Sequence, residues 1–209
     1  IVTVADKPLF DYYILSSEEQ NCDLNFANIF CWSSTYHSEV AEAEGFLVIR
    51  FDIEGVRSYM QPVGKGDKTT ILELLRRDAF EQRTPLRLYG LSAEWRTFLE
   101  ENYPSEFAFD TPRALCDYIY RTEDLAHLQG RKYQPKRNHI NHFVTRNDWS
   151  AEPLSRQNIN DCIALNNKWL SSREVGESEL AEQQAIRCAL DNFEALGLRG
   201  LVLYAEGRA

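Results

Sequence analysis

A chain of 209 residues, 44% hydrophobic and 12% aromatic, is long enough to bury a sizeable core. Its 23 Lys and Arg stand against 32 Asp and Glu, and the resulting charge of -9 opposes wholesale binding to nucleic acid or an anionic membrane, so any anion contact is expected to be local. No run reaches the ~20 apolar residues of a bilayer span and no basic-then-apolar leader opens the chain, so a soluble, cytoplasmic protein is expected.

In chain order, Asp6 is placed to cap a helix with Pro8 in its first turn, and Leu24, Ala27 and Phe30 predict a second helix. The β-branched and aromatic run "GFLVIRFDIEG" then turns at Glu54-Gly55 into "VRSYMQPVG", the pattern of an antiparallel hairpin. An earlier strand near 36–43 is expected to pair with it. Asp67 caps a helix whose predicted apolar face holds Ile71, Leu74, Leu75 and Phe80. "PLRLYGL" reads as a strand, "SAEWRTFLEENY" as a helix opening at Ser92, and "FAFDT" and "CDYIYRT" as two further strands. The stretch from about Arg131 or Pro135 to Arg146 is predicted helical, with Ile140, Phe143 and Val144 on its buried side. "WSAEPLS" is a weak strand, Ser155 is placed to cap a helix over "RQNINDCIALNNKWL", Glu177 to Leu196 forms another helix stopped by Gly197, and "LRGLVLY" is a strand.

Helix, helix, strand thus opens both 6–53 and 156–204, which predicts two copies of one α/β fold. Residues 1–146 are expected as the first domain and 147–209 as the start of a second. The chain begins at Ile1 rather than Met and closes on a strand-like run with no return strand, so truncation at both ends is expected. Five cysteines without a C-x-x-C pair fit reduced thiols, mostly in the core.

Two stretches carry candidate chemistry. From Leu125 to Asn147 there are five basic residues and no acidic one, and without that window the chain's charge is -14. Arg131, Lys132, Lys136 and Arg137 can make charge-assisted contacts to phosphate near a helix start, or can pair with the surplus carboxylates across a domain boundary. Asn138 and His139 either join that anion site or make hydrogen bonds that seat the helix. His139 and His142 lack a third ligand nearby, so no metal site is expected. The second stretch is "QPVGKG", where Gly64, Lys65 and Gly66 either cradle an anion at a helix N-terminus or form a turn in which glycine supplies positive φ.

The pattern Gln-x-x-Gly-x-Gly resembles the pyrophosphate loop of the GNAT acyltransferases. On a larger scale, "ADKPLF", "GKGD", "YRTEDL" and "KYQPKRNHINHF" resemble, at matching intervals, bacterial proteins related to the C-terminal domain of phosphatidylglycerol lysyltransferase. That family is similar to the Fem-type peptidoglycan aminoacyltransferases. The resemblance implies tandem GNAT-like domains, the second incomplete here, and an acyl- or aminoacyltransferase-like activity with coenzyme A or aminoacyl-tRNA as donor. The alternative is a non-catalytic module that binds RNA, a nucleotide or a protein partner through the basic helix. No Gly-x-Ser-x-Gly, carboxylate pair or Cys/His nucleophile stands at interpretable spacing, but transfer from an activated ester depends mainly on orientation and needs none of these.

Overall fold

The structure, a computed structural model, describes residues 2–209. Helices α1 (Lys7–Leu15) and α2 (Phe26–Tyr36) come first, followed by strands β1 (Glu39–Ala43), β2 (Phe46–Ile53), β3 (Val56–Met60) and β4 (Val63–Gly64). Helix α3 (Lys68–Glu81), strand β5 (Leu88–Tyr89) and helix α4 (Ala93–Asn102) complete this part. Next come α5 (Thr122–His127), α6 (Gln134–Arg146), β6 (Trp149–Pro153), α7 (Ile159–Ser171), α8 (Glu177–Asp191), α9 (Phe193–Leu196) and β7 (Leu201–Ala205). The fold is mixed α/β.

β2 organises the first sheet. β1 lies antiparallel along one side of it, while β3 pairs with Arg50 to Ile53 and β4 with Phe46 and Leu47. β5 joins β3 in parallel. The β2–β3 hairpin turns where expected, at Glu54 and Gly55, both with positive φ; such a turn matches the strand twist, and glycine takes it without strain. Side chains alternate along β2, so Leu47 and Ile49 enter one apolar cluster with Phe10, Phe26 and Met60. Phe46 and Val48 enter another with Tyr59, Ile71, Leu75 and Trp95. Each fully buried large side chain stabilises by about 1.5–3 kcal/mol, so the sheet is held by the helices on both faces.

Two compact units emerge, with limits other than the boundary expected at Arg146. The first runs to Thr111 and takes in Leu180–Leu198, and the second is Pro112–Glu179 with Arg199–Ala209. The physical reason is that Ala185 and Leu196 are buried in the first unit's core, with Cys188 packed against it. The basic helix α6 therefore belongs to the second unit.

Other differences have local causes. Phe80 is 81% exposed, and the buried face of α3 is Ile71, Leu72, Leu75 and Ala79. At about 100° per residue, position 80 lies about half a turn away from position 71. Asp6 takes hydrogen bonds from the Thr3 backbone and hydroxyl, at 2.7 and 2.9 Å, and makes no side-chain cap on α1. Neither "FAFDT" nor "CDYIYRT" forms a strand. Phe107 and Phe109 instead lie under the guanidinium groups of Arg76 and Arg96, at 5.4 and 5.0 Å, and Tyr118, Ile119 and Tyr120 are exposed. Ser155 does not cap α7: the Ser155 N–H donates to Asn158 Oδ1 at 2.8 Å, and the helix opens after Asn158. The closing strand β7 has a partner, β6, in an antiparallel pair. Cys31 is in the core, but Cys22 and Cys116 are exposed. Of the aromatics that the sequence places on apolar faces, Trp95 is buried, whereas Tyr36 and Trp169 are exposed, the latter under the Arg173 guanidinium at 4.1 Å. No helix among the described residues is long and apolar enough to cross a membrane.

Candidate functional site

The basic block is built by a junction between two helices. α5 ends at Leu128 with a left-handed backbone, Gly130 follows at φ 89°, and a 3₁₀ turn over Arg131–Tyr133 runs directly into α6. Pro135 falls in the first turn of α6, where its missing N–H goes unneeded. No acidic residue lies in that turn, and the carboxylate at the junction is Asp124 of α5, which reaches Lys132 and Tyr133 just before it.

Arg137 holds the junction together. Its Nη1 donates to the carbonyl oxygens of Leu128 and Gly130, the second at 2.9 Å, and Nη2 donates to Gln134 Oε1. Lys132 is likewise engaged: its ammonium reaches Asp124 Oδ2 at 3.2 Å and lies over the Tyr133 ring at 4.7 Å. The hydrogen bond to Asp124 and then the one to Tyr133 raise the Lys132 pKa above its ordinary value. Tyr133 is buried, with its hydroxyl 3.4 Å from the same carboxylate. Asn138 Oδ1 accepts from Gln134 Nε2 at 2.8 Å.

The six expected anion contacts thus divide. Arg137, Lys132 and Asn138 serve the local structure, while Arg131, Lys136 and His139 are exposed and, among the described residues, have no carboxylate partner. His142 and Arg146 are exposed further along α6. The apolar side of α6 is not buried as expected: Ile140 and Val144 are exposed and Phe143 is half-buried, its ring 6.4 Å from that of Trp149. Among the described residues no group of three or more His, Cys, Asp or Glu side chains is placed to hold a metal ion.

The second stretch, "QPVGKG", is closed by its own chain. Gln61 is buried, donates to Glu19 and accepts from the Ser92 N–H at 2.5 Å. Lys65 N–H donates to the Gly45 carbonyl at 3.3 Å. Gly64 and Gly66 are glycine for close approach and not for positive φ. A Cβ would lie 2.2 Å from the Gly45 oxygen at Gly64, and 1.9 Å from the Glu44 oxygen at Gly66. The anion position at the start of α3 is filled by Asp67, whose Oδ2 accepts from the Thr70 hydroxyl and N–H at 2.5 and 2.8 Å. Those two bonds, the hydroxyl's first, hold the Asp67 carboxyl below the usual carboxylate range. A coenzyme A pyrophosphate would meet a carboxylate where it needs donors, so the loop does not fit that cofactor.

Sequence reasoning missed a charge network on the first sheet. Arg50 lies between Glu39 on β1 and Tyr59 on β3 in the strand register, and reaches Glu39 at 2.6 Å and Asp78 of α3 at 2.8 Å. Arg57 joins Glu39 to Asp52, at 3.2 and 2.9 Å. Its one available signal was an Arg and a Tyr among the apolar residues of two adjacent strands.

Comparison with known proteins adds identity to this geometry. Residues 16–209 match the family model described as phosphatidylglycerol lysyltransferase, C-terminal. The chain belongs to this family. A crystal structure of a conserved protein of unknown function from Bacteroides thetaiotaomicron is similar, with 36% identity and a TM-score of 0.94 over 99% of this chain and 71% of that one. No curated protein matches.

Proposed function

We propose that this member of the phosphatidylglycerol lysyltransferase C-terminal family takes part in aminoacyl transfer, holding the phosphates of an aminoacyl-tRNA donor at the start of α6. The observation that carries this reading is that Arg131, Lys136 and His139 are exposed around the start of α6, whose first turn holds no acidic residue, in an otherwise acidic chain. Coenzyme A is the weaker donor because "QPVGKG" is filled by Asp67 and by its own backbone contacts. In the transfer, an acceptor amine or hydroxyl attacks the ester carbonyl and the 3′ oxygen of the tRNA leaves with the proton. Orientation supplies much of the rate of such a step, and no protein nucleophile is required. This reading takes the chain as tandem GNAT-like units, supported by the recurrence of helix, helix, strand and tested by superposing residues 6–53 on 156–204.

A binding module without catalysis is the second reading, favoured by the lack of a cofactor cradle. Lysyl-tRNA binding followed by fluorescence anisotropy at increasing salt tests the site. Arg131→Glu with Lys136→Glu is expected to weaken binding at least tenfold and to flatten the salt dependence. Failure of the unaltered chain to bind at low salt sinks both RNA-based readings. Binding without accelerated loss of the lysyl group to any amine or hydroxyl acceptor favours the module.

A further inference from the structure

Helix α8 meets the core of the first unit through a narrow face. Ala185, Cys188 and Ala189 stand at i, i+3 and i+4; Ala185 is buried in the apolar cluster that contains Phe10, Phe26 and Cys31, and the other two pack against that cluster. Cys31 comes from α2, where Phe26 and Ile29 are buried with it. The Cys31 and Cys188 side chains are joined by a hydrogen bond, so a free thiol of one helix touches a free thiol of the other.

The two thiols differ in access. Cys31 is buried, whereas Cys188 is half-buried. The Asn192 side-chain amide, one turn on, donates to the Cys188 carbonyl at 2.9 Å and to its sulfur at 3.9 Å, so Cys188 has a polar neighbour as well as an apolar one. An oxidant arriving from solvent meets Cys188 first, with the Cys31 thiol already in contact with it.

We propose that Cys31 and Cys188 form a reversible redox site, at which a peroxide converts the dithiol to a disulfide that fastens α8 to α2. In the first step the Cys188 sulfur attacks the O–O bond of the peroxide, takes one oxygen as sulfenic acid and releases water. In the second, the Cys31 sulfur attacks the Cys188 sulfur, the S–O bond breaks, and the Cys31 proton leaves with the hydroxyl as a second water. Two thiols are oxidised and one peroxide is reduced. The segment so fastened is Leu180–Leu198, which returns to the first unit after the chain has built most of the second. A cross-link that closes so long a stretch restricts the unfolded chain strongly. None of this depends on aminoacyl transfer.

The test uses the chain carrying Cys22→Ser and Cys116→Ser, both at exposed positions, treated with hydrogen peroxide and digested without reductant. Mass spectrometry is expected to find the Cys31 and Cys188 peptides joined and lighter by two hydrogens, and dithiothreitol is expected to separate them. The melting temperature of the oxidised chain should rise by about 5 °C or more. Cys31→Ala should leave Cys188 as a sulfenic acid that a dione reagent captures. If that core variant does not fold, Cys188→Ala at the half-buried position replaces it, and its Cys31 is expected to stay reduced. The proposal is overturned if both thiols stay reduced in the folded chain under peroxide that oxidises free cysteine. It is overturned equally if the cross-link forms only in denaturant, or if Cys188 pairs with Cys162 or runs on to sulfinic acid while Cys31 remains a thiol.

Discussion

The Tyr59 hydroxyl donates to Asp78 Oδ2 at 2.6 Å from a residue only 1% exposed, joining β3 to α3. Arg50 Nη1 holds the same carboxylate, so Asp78 has a neutral and a charged partner. Burial pushes the Tyr59 phenol up, and its hydrogen bond to Asp78 raises it further. Burial also acts to raise Asp78, but the hydrogen bonds from Tyr59 and Arg50 and the neighbouring guanidinium charges outweigh it and leave that carboxyl below its ordinary value.

The sign of the pH dependence follows for each group. Asp78 is lowered on folding, so its contribution is present above the unfolded carboxylate value of about 4 and fades as pH falls through the folded one. Tyr59 is raised, so its contribution is present below about 10 and is lost as pH rises through the folded value. Urea midpoints measured across pH are expected to show a plateau between these limits. Tyr59→Phe should lower stability by about 1–2 kcal/mol and make the alkaline slope shallower, while Asp78→Asn should make the acid slope shallower; the lowered Glu39 and Asp67 carboxyls and the raised Tyr13 phenol keep part of each.

Gly64→Ala and Gly66→Ala are expected to destabilise by about 2 kcal/mol or more each, because their Cβ atoms would press on backbone atoms of Glu44 and Gly45. Chemical denaturation measures this. Calorimetry with coenzyme A is expected to show no binding to the unaltered chain. Asp67→Ala should lower the melting temperature by removing the α3 cap, without creating affinity. Micromolar binding to either protein would show that the loop opens into a cradle.

The Cys31 thiol is pushed up to about 12, first by burial and then by the neighbouring Cys188 thiol. It is expected to resist alkylation in the folded protein at pH 8 and to react fully in denaturant, whereas exposed Cys116 is labelled in both. Mass spectrometry of the labelled peptides distinguishes the sites.

Where an element carried its own cause, the sequence was sufficient. The hairpin from Phe46 to Met60 follows from β-rich runs around Glu54-Gly55, and α4 from Ser92, whose hydroxyl accepts from the Trp95 N–H at 3.3 Å. Elements that depend on distant partners were not legible. "FAFDT" has strand propensity, but strand formation needs a neighbouring edge, and its aromatic rings meet Arg76 and Arg96 instead. The return of Ala185 and Leu196 to the first core likewise leaves no local signal, so the limits of the compact units are not readable from the order of helices and strands. At the site, the types of the basic residues were readable, but their division of labour was not. Arg137 is set apart from Lys136 by the Leu128 and Gly130 carbonyls, which the left-handed turn at Leu128 brings within reach, and by Gln134 Oε1.

That division supplies the last prediction. Lys136→Ala removes an exposed charge and is expected to change the melting temperature little, since a surface substitution away from caps and buried groups is usually worth within ~0.5 kcal/mol. Arg137→Ala removes three hydrogen bonds at once and leaves the Leu128 and Gly130 carbonyls without their guanidinium donor. Charge-assisted bonds of this kind contribute about 1.5–3 kcal/mol, discounted here because Arg137 is half-exposed. Hydrogen exchange is therefore expected to rise for the amides from Leu128 to Arg137 in Arg137→Ala and not in Lys136→Ala, with β2 and α3 unaffected in both. Arg137→Lys should rescue little, because one ammonium cannot reproduce the planar fork that spans two carbonyls and Gln134. If instead Arg137→Ala leaves the junction protected and only Lys136→Ala loosens it, the assignment of Arg137 to structure and Lys136 to the ligand is reversed.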